Sequence, residues 1–277
     1  MRINNRIDFA IIISVNDANP NGDPVNGNRP RQTYDGYGEI SDVCLKRKIR
    51  NRFFAMGHDI LIRIPEQQND GFSSTANRIK KTIGDAPVKP KDNYASFVQD
   101  ATQKWIDVRA FGQVFPIKGE GSIPIRGPVS VQSAKSLDVI DPVEVIITKS
   151  ENYNDAPGAS QKARDTMGSR HKTSGIYVTY GGIYPQLAEK TNFSYEDAMV
   201  LKEVMRSLFL GDESAARPAG SMRVEKLFWW EHASFNGNCS PLTVHRSLNV
   251  QSQSDFPYYN FSVNQLANVS LEIIEGW

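Results

Sequence analysis

Ile7-Asp-Phe-Ala-Ile-Ile-Ile-Ser-Val15 alternates Ile7, Phe9, Ile11, Ile13 and Val15 with Asp8, Ala10, Ile12 and Ser14. A period of two in a run rich in β-branched residues predicts a strand. It ends at Asn16-Asp-Ala-Asn-Pro-Asn-Gly-Asp-Pro-Val-Asn-Gly-Asn-Arg-Pro-Arg31, whose Asn, Gly and Pro residues tolerate positive φ or fix turns, so a long clamping loop follows. Beyond it, Ser41 as N-cap and Asp42 in the first turn open a helix that runs to about Met56 and stops at Gly57. Leu45, Ile49, Phe53 and Met56 fall within about 80° of one another on its wheel and mark the face turned to a core.

Working outward, Asp59 to Ile64 reads as a second strand ended by Pro65, and helices are expected near 74–83 and 93–108. Gly127-Pro-Val-Ser-Val-Gln-Ser-Ala134 and Pro142-Val-Glu-Val-Ile-Ile-Thr148 resume strand character. Residues 150–173 lack apolar periodicity and read as a long polar connection, a kind of segment that is more often functional or disordered than idle. Gly175 to Tyr180 is a strand, Ser194 caps an amphipathic helix to Leu210, and Val224–Trp230 and Val269–Ile274 are closing strands. The order predicts an α+β domain of split βαβ type, decorated by insertions.

The sequence has 277 residues, 32 Lys and Arg against 31 Asp and Glu, and a net charge of +1, which excludes a uniformly basic nucleic-acid binder and confines any polyanion site to a patch. Cys44 and Cys239 have no redox or metal spacing, so a disulfide framework is not expected and a reducing compartment is. With no apolar leader at Met1–Asp8 and no apolar run long enough to span a bilayer, the expectation is a soluble cytoplasmic protein without a membrane partner. His58, His171, His232 and His245 show no ligand spacing, and no cofactor or metal is expected. Asp17-Ala-Asn-Pro-Asn-Gly22 imitates the start of an EF-hand loop, but Asn28 stands where the bidentate glutamate belongs and a strand precedes it, so a calcium site is set aside.

The informative charges are local. Residues 41–52 hold Lys46, Arg47, Lys48, Arg50 and Arg52 against one acid, and residues 160–172 hold Lys162, Arg164, Arg170 and Lys172 against Asp165. Either run can be a solvated face. Lys46 and Arg50, four apart and read without a compensating acid, are expected to repel unless an anion such as phosphate lies between them. Met167, isolated among polar residues, is either incidental or a wedge against a stacked base. Nucleophile, phosphate-loop and dinucleotide motifs are absent. Asp165 and His171 could in principle serve acid–base cleavage of RNA, though without a third partner.

Asn19-Pro-Asn-Gly-Asp-Pro24 with Gly27-Asn-Arg-Pro-Arg31, Ser41-Asp-Val-Cys-Leu-Lys-Arg-Lys-Ile-Arg-Asn51, Arg109-Ala-Phe-Gly112, Gly127-Pro-Val129, Thr166-Met-Gly168 with His171, Leu187-Ala-Glu-Lys-Thr191 and Ser214-Ala-Ala-Arg217 resemble the backbone subunits of type I-C CRISPR surveillance complexes (Cascade), within the RAMP superfamily. The resemblance runs from residue 6 to about 250.

It implies a hand-shaped protein with a ferredoxin-like (RRM-like) palm, a helical fingers insertion at 65–120 and a projecting thumb at 149–175. It further implies a non-enzymatic subunit whose copies assemble head to tail along CRISPR RNA. The thumb would kink that RNA so that it pairs with target DNA, beside other Cascade subunits. Carried over by position, Lys46, Arg47 and Arg50 are expected at guide phosphates with Arg31 beside them. Gln132 and Lys135 are expected where a palm strand meets RNA, and Arg164, Met167, Arg170 and Lys172 at or near the thumb. Two other functions stay open at this stage: a RAMP-type target-RNA endoribonuclease using Asp165 or His171, and a filament that forms without RNA.

Overall fold

The computed structural model describes residues 1–85, 94–116, 121–149, 166–253 and 256–277. Along the chain, β1 (Ile7–Ala18) leads through the two-residue strands β2 (Gly22–Asp23) and β3 (Arg29–Pro30) to β4 (Tyr37–Ile40) and α1 (Asp42–Ala55). Helices α2 (Thr75–Ile83), α3 (Tyr94–Lys104) and α4 (Ile106–Phe111) follow, then β5 (Gly112–Pro116), β6 (Ser122–Arg126), β7 (Val129–Val131), β8 (Ala134–Val139) and β9 (Val143–Thr148). The long β10 (Thr166–Ile183) precedes α5 (Pro185–Thr191), α6 (Tyr195–Arg206), β11 (Met222–His232), α7 (Pro241–Ser247), β12 (Leu248–Ser252), β13 (Tyr259–Val263) and β14 (Val269–Glu275). Eight strands form one sheet in the order β14–β11–β1–β10–β8–β4, with β7 and β9 also paired to β10. Its pairings are antiparallel.

The alternation of β1 sorts its residues between two cores. Ile7, Phe9, Ile11, Ile13 and Val15 pack with Leu45, Ile49 and Phe53 of α1 and with Leu201, Val204 and Met205 of α6. Ala10 and Ile12 face the other way, into a cluster with Ile176, Val178, Phe228 and Trp230 that Val244 of α7 and Leu248 of β12 close. Each fully buried Ile or Phe contributes about 1.5–3 kcal/mol relative to exposure, so this strand anchors both layers. Asp8 is buried on the strand as well. Its Oδ2 accepts from Arg6 Nε at 3.0 Å, Arg6 Nη2 at 2.8 Å and His232 Nε2 at 2.8 Å. Because His232 Nδ1 accepts the Asn238 N–H at 2.9 Å, the imidazole proton lies on Nε2 and donates to Asp8.

Glycine is required where β1, β7 and β10 meet. A Cβ on Gly181 would lie 2.3 Å from both the Phe9 ring and the Ser130 carbonyl oxygen.

Residues 61–125 build a separate small core from Leu61, Phe97, Ala101, Trp105, Val108, Phe115, Ile123 and Ile125. The strand expected over Asp59–Ile64 does not form. The Leu61 and Ile62 N–H groups donate to the Asp107 carboxylate at 2.8 and 3.2 Å, so a side chain takes the place of a ladder partner. The helix expected over 93–108 breaks into α3 and α4 at Trp105, which is extended (φ −117, ψ 118). The polar connection expected over 150–173 is strand from Thr166 onward, paired with β9 through Gly168↔Ile147, Ser169↔Ile146, Arg170↔Val145 and Lys172↔Val143. The Thr166–Lys172 arm of that ribbon is largely exposed, so no apolar alternation marks it in the sequence. No helix among the described residues is long and apolar enough to cross a membrane.

Candidate nucleic-acid interface

The Asn/Pro/Gly loop is pinned at several points. The Asn19 N–H donates to the Ala216 carbonyl at 2.9 Å, and Asn19 Nδ2 donates to the Asn28 carbonyl at 2.7 Å. Asn21 Oδ1 accepts both the Ser41 N–H at 2.9 Å and the Ser41 hydroxyl at 2.8 Å, while the Ser41 hydroxyl accepts the Cys44 N–H at 3.3 Å and caps α1. Gly27 and Asn28 take the loop through left-handed backbone at φ 57 and 59, which Gly and Asn accept most readily. Loop 16–31, the start of α1 and the segment around Arg217 therefore share one seam.

The unrelieved repulsion expected on α1 is corrected by the structure. Lys46 pairs with Asp42 at 3.0 Å, one turn earlier, and Arg50 pairs with Asp107 at 3.0 Å. Arg47 Nη1 donates to the Ile62 carbonyl at 2.8 Å, and Arg52 Nε to the Ser207 hydroxyl at 2.9 Å. Lys48 is buried against Asp212, which also receives Arg217 Nε at 3.0 Å. Arg31 stands 3.6 Å from Asp23. Burial first, then the Arg50 charge, pull the Arg47 guanidinium below its ordinary value, with Asp107 opposing. Burial pushes the Cys44 thiol up, while Lys48, Arg217 and Arg31 act against it, which places three cations around that side chain. The basic run of the sequence is thus partly neutralised by Asp42, Asp107 and Asp212.

The pairs differ in exposure, and that decides their use. Lys46–Asp42 is 26% and 40% exposed, and Arg31–Asp23 is 38% and 28% exposed. Such surface pairs contribute about 0–1 kcal/mol, so a phosphate can compete for the cation. Arg50–Asp107 and Lys48–Asp212 are buried, and breaking such a pair costs several times more. Arg31 and Lys46 are available cations at the seam, as is Arg29 of the same loop, whose pair with Glu144 is 48% and 43% exposed; Arg47 and Arg50 hold backbone and carboxylate within the protein.

The β9–β10 ribbon leans on the same loop through Lys172–Asp17 at 3.2 Å and Arg29–Glu144 at 3.2 Å. Met167 is 64% exposed and is the extra residue of a bulge between Thr166↔Thr148 and Gly168↔Ile147. Arg170 is exposed. His171 is buried, with Nδ1 unpartnered among the described residues. Arg164, Asp165 and Lys162 lie outside the described residues.

Lys135 is exposed but lies elsewhere. It stands opposite Val178, whose side chain belongs to the core beneath α7, so Lys135 occupies the sheet face away from α1. Gln132 is exposed; its N–H donates to the Tyr180 carbonyl at 2.8 Å and its carbonyl accepts the Thr179 hydroxyl at 2.7 Å. The structure brings Arg31, Lys46, Arg47 and Arg50 to one helix and its loop, sets Met167, Arg170 and Lys172 on the adjoining ribbon, and separates Lys135 from both. Arg217 was not among the expected site residues; its signal was the Ser214-Ala-Ala-Arg217 block. Among the described residues no group of three or more His, Cys, Asp or Glu side chains is placed to hold a metal ion.

A solved chain described as CRISPR RNA-guided surveillance complex, pre-nicking, superposes with a TM-score of 0.53 at 13% identity, over 81% of this chain and 78% of that one, and shares the fold. The CRISPR-associated protein Cas7 of Haloferax volcanii is 29% identical over 215 residues, which are 70% of this chain and 61% of the relative, so this chain spans about three fifths of that relative's length. The family described as CRISPR-associated protein Cas7 matches residues 5–269, and the chain belongs to that family.

Proposed function

We propose that this chain is a non-enzymatic backbone subunit of a type I-C CRISPR interference complex, gripping guide RNA by its phosphates. The observation that carries this reading is the seam where loop 16–31, α1 and Arg217 meet, with Arg31 and Lys46 in exposed pairs that a phosphate can enter. Contacts of that kind bind any sequence, which suits a protein whose guide does the reading. The strand order β11–β1–β10–β8, with α1 and α6 on one face, supports a ferredoxin-like palm. The separate core of residues 61–125 supports a fingers insertion at 65–120. The exposed ribbon with its bulged Met167 supports a thumb over 149–175 that kinks the guide, so that the bases between kinks face target DNA. Copies would stack head to tail, alongside other Cascade subunits, in the cytoplasm.

The test is the salt dependence of binding to unrelated single-stranded RNAs. Each single-strand phosphate contact contributes about 0.7 to the slope of log K against log salt. Arg31→Ala with Lys46→Ala should flatten the slope by about 1.4 for every sequence. An unchanged slope removes the seam from the guide path.

A further inference from the structure

One side chain stands wholly outside the body. Tyr34 is fully exposed at the tip of the turn Thr33–Gly36, and exposed Asp35 follows it without an ion partner among the described residues. The turn itself is firmly built. The Gly36 N–H donates to the Thr33 carbonyl at 3.0 Å and the Tyr37 N–H to the Thr33 hydroxyl at 3.2 Å. Gln32 Nε2 and the Ile140 N–H tie both its flanks to the segment that follows β8, at 2.9 Å to the Ile140 carbonyl and 3.1 Å to the Gly36 carbonyl. A rigid aromatic on such a support loses little conformational entropy when it docks, and a tyrosine buries about 150–250 Å².

A complementary cleft of about 620 Å³ opens between α3, β6 and α5. Its walls include Tyr94, Val98, Ile125 and Leu187, and its rim carries Arg126 and Lys190. Both rim cations are exposed and neither has an ion partner among the described residues. A cleft whose apolar side chains Val98, Ile125 and Leu187 alternate with polar ones such as Thr102 and Thr191, with two exposed cations that have no ion partner among the described residues, fits an aromatic ring that carries a hydroxyl and is followed by a carboxylate.

Knob and cleft lie at opposite ends of the sheet. The Tyr34 turn is bonded to Ile140, which lies against the Gly175 end of β10, whereas the cleft borders the Ile183 end, where Val129 pairs with Ile183 and the Tyr184 N–H donates to the Pro128 carbonyl. At roughly 3.3 Å per residue those ends are about 26 Å apart, so the knob cannot reach its own cleft.

We propose that Tyr34 and Asp35 of one copy enter the α3–β6–α5 cleft of the next, the tyrosine against Val98, Ile125 and Leu187 and the carboxylate against Arg126 and Lys190. The contact uses two different surfaces and leaves one of each unused at the ends of any row, so it repeats in one direction and forms an open series. It rests on the head-to-tail reading above and names the surfaces that would carry it.

The test is sedimentation velocity on the full chain over a range of concentrations, without RNA and with a single-stranded RNA long enough for several copies. Binding to a short RNA that holds one copy is measured alongside. Tyr34→Ala should weaken self-association about tenfold, and Asp35→Arg or Arg126→Asp about a hundredfold. Combining Asp35→Arg with Arg126→Asp in one chain should restore most of it. Short-RNA binding and thermal melting should be unchanged in all four proteins, since the replaced side chains are exposed. Charge reversals that associate like the wild type, a combined variant that recovers nothing, or a wild type that stays monomeric with and without RNA each overturn the proposal. Loss of short-RNA binding by the wild type, with self-association intact, overturns the guide-binding reading and leaves this interface standing.

Discussion

Arg50 Nε stands 3.0 Å from Oδ2 of Asp107, a carboxylate whose side chain is 1% exposed and which also receives the Leu61 and Ile62 N–H groups. One buried acid thus joins the basic helix to the Leu61–Ile62 backbone at the edge of the small second core. Asp107→Ala should cost about 3–5 kcal/mol, since it strands the largely buried Arg50 side chain and two backbone donors. Urea unfolding of the purified variant measures this; a loss under 1 kcal/mol would show that water replaces the carboxylate.

Lys46 tests the opposite case. Its pair with Asp42 is partly exposed, so Lys46→Ala should change stability by no more than about 0.5 kcal/mol. The salt slope of RNA binding should fall by about 0.7 in the same variant. The two readouts together separate a ligand-binding cation from a structural one, and Arg50→Ala should move stability foremost.

Gly181 is held by close approach, with the Phe9 ring and the Ser130 carbonyl both 2.3 Å from where a Cβ would stand. Gly181→Ala should therefore destabilise by about 1–3 kcal/mol or more, because the backbone oxygen cannot turn aside as a flexible side chain would. Gly57→Ala, where no atom lies within 4 Å but φ is +85, is the contrasting control for strain without crowding. Thermal melts of both variants give the comparison.

Asp70 makes the region around the small core of residues 61–125 acid-sensitive. Hydrogen bonds from Arg78, 2.7 and 3.1 Å long, hold its carboxyl down to about 2. An unfolded Asp titrates near 4. The folded value is the lower one, so the stabilisation is fully present above about pH 4 and is lost as pH falls towards 2. Asp70→Asn should flatten the fall of melting temperature within that window while leaving its shape above pH 5 unchanged.

Much of the frame is legible in the sequence because it is written in local signals. The β1 alternation and the Ser41 and Ser194 caps need only neighbours along the chain to be read. The ion partners divide by the same rule. Asp42 lies one turn before Lys46, at an i, i+4 spacing that the expectation of unrelieved repulsion passed over, whereas Asp107 reaches Arg50 from 57 residues further along the chain and no spacing rule finds it. Asp59–Ile64 carries strand-forming residues, but tertiary hydrogen bonds to Asp107 override that preference. The Thr166–Lys172 arm was hidden for the reverse reason: exposed on most sides, it has no buried face to impose a period.

The placement of β1 between β10 and β11 also sets a timetable. Ile7 pairs with Ile183 and with Glu231, so neither edge of this strand finds its partner until most of the chain has left the ribosome. At about 5–20 residues per second, a strand apolar on both faces waits on the order of ten seconds or longer for its neighbours. Contacts this distant in sequence slow folding. In the cell, yield should therefore respond to chaperone supply and to synthesis at lower temperature more than to substitutions on the finished surface.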